Sequence, residues 1–255
     1  MLSDTCLVTP ASDAYLKAYR RWQWKGWLMI RTTIWKPFVV FASLLAALPG
    51  AAALDAAKAA PSDNEIVIVA FGDSLSAGYQ LPPAAAFPVQ LEKALRARGL
   101  KVNIVNAGVS GDTATDGLAR LDWALPGNAQ GVILELGAND ALRGIPVEET
   151  TKALSALLEG LKARKLEVLI AGMHAPRNWG DAYAGAFTAM YVDLARKYDA
   201  LLYPFFLEGV ALDQSLNLRD GLHPNARGVA RIVERILPSV EQLMQRIEAK
   251  RAKPS

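Results

Sequence analysis

Glu65–Phe71 reads EIVIVAF and runs directly into Gly72-Asp73-Ser74-Leu75-Ser76-Ala77-Gly78. A short apolar, β-branched run of this kind is the pattern of a strand buried on both faces of a parallel sheet. A serine just beyond such a strand, between glycines, stands at the mouth of the crevice where open α/β sheets bind ligands. Similar runs recur at Lys101–Val105 (KVNIV), Val132–Leu136 (VILEL), Glu167–Ala171 (EVLIA) and Ala200–Phe205 (ALLYPF). Helical patterns separate them at Phe87–Ala97, Val147–Ala163 and Ala182–Lys197, with Ala226–Ile236 and Val240–Ala249 after the last run. Strands alternating with helices predict right-handed βαβ units, and so a three-layer α/β/α sandwich on a five-stranded parallel sheet, flavodoxin-like in layout.

A chain of 255 residues with 52% hydrophobic residues is enough for one such domain with a full core. The net charge of +3 is unevenly spread. Residues 1–53 hold six basic residues (Lys17, Arg20, Arg21, Lys25, Arg31, Lys36) and two acidic ones (Asp4, Asp13). Residues 54–255 are left with 22 basic against 23 acidic, so the domain offers nucleic acid no electrostatic footprint.

The positive residues precede Pro37–Leu48 (PFVVFASLLAAL), a continuous apolar run followed by Pro49-Gly50-Ala51-Ala52-Ala53. Charged, apolar and small-residue regions in that order are the layout of a secretory signal peptide, with cleavage expected near Ala53. The run is shorter than the roughly 20 residues that comfortably span a bilayer, which favours cleavage over anchoring. The chain divides accordingly into a leader (1–53), a linker (54–64) and a folded domain (65–250). Residues 1–28 are long and Trp-rich for a leader, whereas MIRTTIWKPFVVF from Met29 is complete by itself. Met29 is therefore read as the biological start, which N-terminal sequencing of the precursor checks. The one cysteine, Cys6, lies upstream of the apolar run, so a cleaved domain has no thiol for disulfides or catalysis.

Four loops carry candidate chemistry, and each has an ordinary structural explanation as well. Ser74 is a potential nucleophile if a base lies near, although Gly, Asp and Ser also make turns, caps and phosphate-cradling loops. Gly111, in Asn106-Ala107-Gly108-Val109-Ser110-Gly111-Asp112-Thr113, can expose its N–H to a ligand, or simply form a left-handed turn. Asn139, in Gly137-Ala138-Asn139-Asp140, can donate to a developing oxyanion or cap a helix. In Asp220-Gly221-Leu222-His223-Pro224, an Asp three residues before a His can hold the imidazole tautomer. A metal centre is disfavoured, because one His–Asp pair with no further His or Cys is a poor ligand set. The loops contain neither G-x-G-x-x-G nor a Walker A lysine, which weakens nucleotide readings. His174 is assigned to a pocket wall or the core. Order and placement raise the four loops above their separate alternatives: nucleophile, donors, base and orienter each follow a predicted strand or lie near the C-terminus.

With those blocks on the page, the sequence resembles the SGNH (GDSL-type) hydrolase superfamily. GDSLS surrounds Ser74, SGD contains Gly111, GxND contains Asn139, and DxxHP contains Asp220 and His223. The likeness runs over residues 65–245 and is strongest to the branch of bacterial arylesterases, acyl-CoA thioesterases and lysophospholipases. Ala138 stands where that branch commonly has a second glycine, and His174 where it often has Arg or an aliphatic residue.

The resemblance implies a serine esterase acting on carboxylic esters and thioesters without metal or organic cofactor. Ser74, His223 and Asp220 would be catalytic, with the Ser74 N–H, the Gly111 N–H and the Asn139 amide as oxyanion donors. Asp73 is expected to make a fold-supporting hydrogen bond. The expected partner is a small-molecule acyl ester or thioester, with the membrane met only through the leader or a lipid substrate. A periplasmic monomer is the expected setting. Two alternatives are an esterase removing acetyl groups from polysaccharide and a non-catalytic, flavodoxin-like module binding a phosphate ligand.

Overall fold

The computed structural model describes residues 65–252. The leader, its cleavage point, Met29 and the linker lie outside those residues. Five strands form one wholly parallel sheet in the order β2-β1-β3-β4-β5. They are β1 (Ile66–Gly72), β2 (Val102–Gly108), β3 (Gly131–Glu135), β4 (Glu167–Ala171) and β5 (Leu201–Tyr203). The first and third strands are buried at every residue, which explains why their sequences are continuous apolar runs rather than alternating ones.

Helices cover both faces. On one, α2 (Phe87–Ala97) packs against α7 (Ala226–Arg251). On the other, α5 (Val147–Ala163) lies between α3 (Ala114–Ala124) and α6 (Asp181–Tyr198). Two short helices stand at the strand ends: α1 (Ser74–Ala77) after β1 and α4 (Ala138–Arg143) after β3. The core holds Phe71, Phe87, Phe187 and Phe206 with no exposed surface, and Phe87 meets Phe206 edge to face at 5.0 Å. Burying such a ring contributes about 2–3 kcal/mol, so these four are principal supports of the layers.

The expected α/β/α sandwich and its five parallel strands are present, β4 at its expected bounds and the other strand ends shifted by one to three residues. The C-terminal segment differs from expectation, being one 26-residue helix rather than two. Pro238 sits inside it, where the missing N–H and ring clash cost about 3 kcal/mol. The helix continues because Ile236, Leu237, Val240, Leu243, Met244 and Ile247 form one buried stripe spanning the proline. Packing outweighs the local breaker.

The topology places the site. The chain moves from β1 outward to β2, then crosses back to β3 on the other side of β1. Gly72 pairs with both Gly108 and Glu135, so the three strands end level at this switch point. The loops carrying Ser74, Gly111 and Asn139 therefore leave one edge of the sheet together.

Candidate active site

Ser74 begins α1, two residues beyond the end of β1. Asp73 caps the helix, its Oδ1 accepting the Leu75 N–H at 2.9 Å. The tight strand-to-helix turn needs glycine at 72, since a Cβ there would lie 2.3 Å from Ser76 Oγ and 2.4 Å from Glu135 Oε2. Among the described residues the Ser74 backbone N–H has no hydrogen-bond partner, as befits the first turn of a helix.

His223 comes from the long loop between β5 and α7. That loop is closed by the antiparallel bridge Asn217–Pro224, with the Leu218 N–H donating to the His223 carbonyl at 2.7 Å. Asn225 caps α7 by accepting from the N–H groups of Arg227 and Gly228, and its amide donates to Ser215 and Asn217 carbonyls. The loop is thus pinned at both ends. The Ser74 hydroxyl lies 3.0 Å from His223 Nε2, and His223 Nδ1 lies 2.8 Å from Asp220 Oδ2.

Burial of Asp220 raises its pKa, but hydrogen bonds from the His223 ring and the Leu222 and His223 N–H groups outweigh that, leaving it lowered to about 2. A carboxylate facing Nδ1 requires the proton on Nδ1, so Nε2 offers its lone pair to the serine hydroxyl. Tyr79 packs on the imidazole, ring centroids 4.5 Å apart.

Gly111 has φ +92, a conformation open to glycine at little cost, and among the described residues its N–H has no partner. Two unpaired N–H groups, those of Ser74 and Gly111, therefore stand on the loops that flank the serine. Asn139 is different. Its Nδ2 donates to Asp73 Oδ2 at 3.0 Å and to the Asp112 carbonyl at 2.9 Å, so both amide hydrogens already have acceptors. Asp73 makes the expected supporting hydrogen bonds, and one of them goes to Asn139 itself. Asp140 accepts the Ala114 N–H at the start of α3 and the Thr150 hydroxyl of α5, fixing α4 to its neighbours. His174 is exposed rather than in the core, its ring stacked on Phe205 at 4.1 Å.

Two buried charged groups beneath the site were not singled out from sequence. Arg120 is 5% exposed and donates from Nε to Asp112 Oδ2 (2.6 Å), and from its two terminal nitrogens to the Ala107 (2.8 Å) and Gly72 (2.9 Å) carbonyls. Its guanidinium also lies 4.1 Å from the Phe71 ring centre. One side chain thereby ties the ends of β1 and β2 to the Gly111 loop. Its sequence signal was positional: Ala114, Gly117, Arg120 and Leu121 form the buried face of α3, so the arginine sits on an inward stripe.

Glu135 is fully buried at the end of β3. Its Oε2 accepts from the Ser76 hydroxyl (2.8 Å) and the Asp73 N–H (3.3 Å), while Oε1 has no partner. Burial, reinforced by the neighbouring Asp73 charge, raises the Glu135 pKa well above the carboxylate range, and burial pushes Asp73 up to about 6.

A pH effect on stability follows. Both groups bind protons more readily folded than unfolded, so their contribution is fullest in acid and is lost as pH rises through the folded pKa values. For Asp73 the window runs from 3.8 to about 6. Lowering the pH from about 7 to about 5 should therefore favour folding, and Glu135→Gln, neutral throughout, should flatten the slope. Thermal midpoints of both proteins across that range check this. Identical slopes would remove Glu135 as a contributor.

Comparison with known proteins gives the family. Residues 70–231 match the GDSL-like lipase/acylhydrolase family. The chain is 40% identical over 169 residues to the Escherichia coli (strain K12) protein named thioesterase 1/protease 1/lysophospholipase L1, covering 66% of this chain and 78% of that one. It is 39% identical over 178 residues to a Vibrio mimicus arylesterase, covering 69% and 88%. Among solved structures, AlinE4, an SGNH-hydrolase family esterase, superposes with a TM-score of 0.60 at 45% identity, over 71% of this chain and 97% of AlinE4. The chain belongs to the GDSL-like lipase/acylhydrolase family and is an SGNH-type esterase.

Proposed function

We propose that this esterase hydrolyses carboxylic esters and thioesters through an acyl-serine on Ser74, with His223 as base and Asp220 as its orienting carboxylate. The observation that carries the reading is the hydrogen-bonded chain from Ser74 Oγ through His223 to Asp220, joining residues 149 apart in sequence. The serine proton passes to Nε2 as Oγ attacks the carbonyl carbon. The tetrahedral oxyanion is received by the Ser74 and Gly111 N–H groups, with Asn139 as third donor through the hydrogen that turns to it from the Asp112 carbonyl. Collapse breaks the carbon–oxygen or carbon–sulfur bond, and His223 protonates the departing alcohol or thiol. Water, deprotonated by the same imidazole, then cleaves the acyl-serine and releases the acid. Asp220, with its pKa near 2, stays ionised through this cycle at any pH where the fold is ordinarily handled.

Aryl esters, acyl thioesters and lysophospholipids are the substrate classes that the names of the relatives suggest. All of the reacting groups come from one chain, which is consistent with a monomer. The apolar run Pro37–Leu48 and the alanines after it support export to the periplasm.

A chain-length series of p-nitrophenyl esters tests the reading against Ser74→Ala. Turnover by the native enzyme and its loss in the variant are the expected results, and the length profile then narrows the acyl group. Activity on acetylated sugars alone, with none on longer acyl chains, would shift the assignment to a carbohydrate esterase. A Ser74→Ala protein as active as the native one would remove the acyl-serine mechanism.

A further inference from the structure

We propose that Asp73 is a positioning residue for the oxyanion step, selecting one of the two orientations of the Asn139 amide through the bond from Asn139 Nδ2 to Asp73 Oδ2. The inference rests on Asn139 acting as an oxyanion donor through the hydrogen that here meets the Asp112 carbonyl, while Asp73 keeps the other. An asparagine amide rotated by half a turn has nearly the same shape but offers an acceptor where it offered donors. Among the described residues Asn139 Oδ1 has no hydrogen-bond partner, so the Nδ2 contacts alone decide the orientation. Rotation would set Oδ1 about 3 Å from both Asp73 Oδ2 and the Asp112 carbonyl, two repulsive oxygen–oxygen contacts. It would also present an acceptor to a developing anion. The carboxylate at 73 excludes that arrangement.

Asp73 is itself firmly placed. It is 1% exposed, its Oδ1 is held by the Leu75 N–H, and its own N–H is anchored on Glu135. The charged and titratable groups around it are Glu135 from β3, Asp112 with its partner Arg120 from the Gly111 loop and α3, His223 from the β5–α7 loop, and Tyr191 from α6. Tyr191 donates its hydroxyl to the Leu136 carbonyl and so gives Asp73 no proton. A carboxylate near the oxyanion also repels it. Orientation and repulsion therefore make opposite predictions for a neutral isostere, which makes the role of Asp73 measurable.

Asp73→Asn has one oxygen for two donors, the Leu75 N–H and the Asn139 amide, and its own NH2 can instead donate to a rotated Asn139 Oδ1. The variant should lower kcat on a p-nitrophenyl ester roughly 10- to 100-fold, with KM within about 2-fold. In an Asn139→Ala background the same change should have almost no further effect, because its target is gone.

A drop in the double variant as large as in the native background would overturn the proposal and leave Asn139 as a donor. A rise in kcat for Asp73→Asn would overturn it in favour of repulsion. If Asn139→Ala alone keeps native kcat, the donor role of Asn139 falls, and this inference falls with it.

Should Asp73→Asn not fold, the native enzyme and Asn139→Ala can be compared from about pH 5 to about pH 8. The pKa of Asp73, raised to about 6, predicts a partial fall in native kcat on acidification that is absent from Asn139→Ala. Superimposable acid limbs would overturn the proposal.

Discussion

His223→Ala is expected to lower kcat by roughly five to six orders of magnitude while the protein remains folded. A serine hydroxyl is a weak nucleophile at its own pKa, and it gains power only as a base removes its proton during attack. Among the described residues, His223 Nε2 is the group placed to do so, at 3.0 Å. Water cannot take its place with the same orientation, because the imidazole is fixed from three sides: by Asp220 on Nδ1, by Tyr79 on its face and by the bridged loop behind it.

Residual activity should come from the backbone donors and from substrate binding. For that reason Ser74→Ala/His223→Ala should be no worse than either single variant, since the two residues act as one unit. Asp220→Ala should cost less, about 10⁴-fold, because the base remains but loses its tautomer and its countercharge. Steady-state kinetics with circular dichroism of each variant would check these values. A His223→Ala enzyme keeping more than about 1% of native kcat would contradict the assignment.

The second large effect is on stability. Arg120→Met should destabilise the domain by about 3–5 kcal/mol, since removing one partner of a buried ion pair leaves the other charge uncompensated. The Asp112 side chain is 12% exposed, and the Ala107 and Gly72 carbonyls would lose donors at the same time. Methionine fills part of the volume over Phe71 but donates nothing. For a domain of this size the shift in Tm should be roughly 6–20 °C.

Asp112 also supplies the carbonyl that holds Asn139, so kcat should fall along with stability. Arg120→Lys should recover little of either, because one ammonium cannot reproduce a fork that reaches three acceptors. Denaturant titration gives the free energy directly. A loss under about 1 kcal/mol would mean that the network contributes little to folding.

Much of this molecule was legible in one dimension because local chemistry and global fold agree. Glu65–Phe71 and Val132–Leu136 were readable as buried strands because residues hidden on both faces must be apolar at every position. Helix Val147–Ala163 was readable to the residue because its inward stripe repeats at helical spacing. Ser74, Gly111 and Asn139 were legible for a topological reason: each follows a strand, and the strands end level at the switch point.

Other features needed the third dimension. No local signal places Ser74 within 3.0 Å of a histidine 149 residues away, since that distance depends on α7 and its loop packing back beside β1. Pro238 reads as a helix break, and only the continuous buried stripe across it overrides that preference. Glu135 and Arg120 look like ordinary charged residues in a strand and a helix. Packing buries them, and burial is what turns a carboxyl into a neutral hydrogen-bond anchor and a guanidinium into a tie between two strand ends and a loop.

Residue order was enough for the α/β layering, which follows from periodicity, for the loops that carry the chemistry, which stand at strand ends, and for a family resemblance carried by four short motifs. The tertiary structure alone decided which donors are unpaired, that the Asn139 hydrogens are held by Asp73 and Asp112, and that a buried acid pair lies behind the nucleophile. Those properties depend on distances of a few ångströms between segments remote in the chain, and residue order alone does not specify such distances.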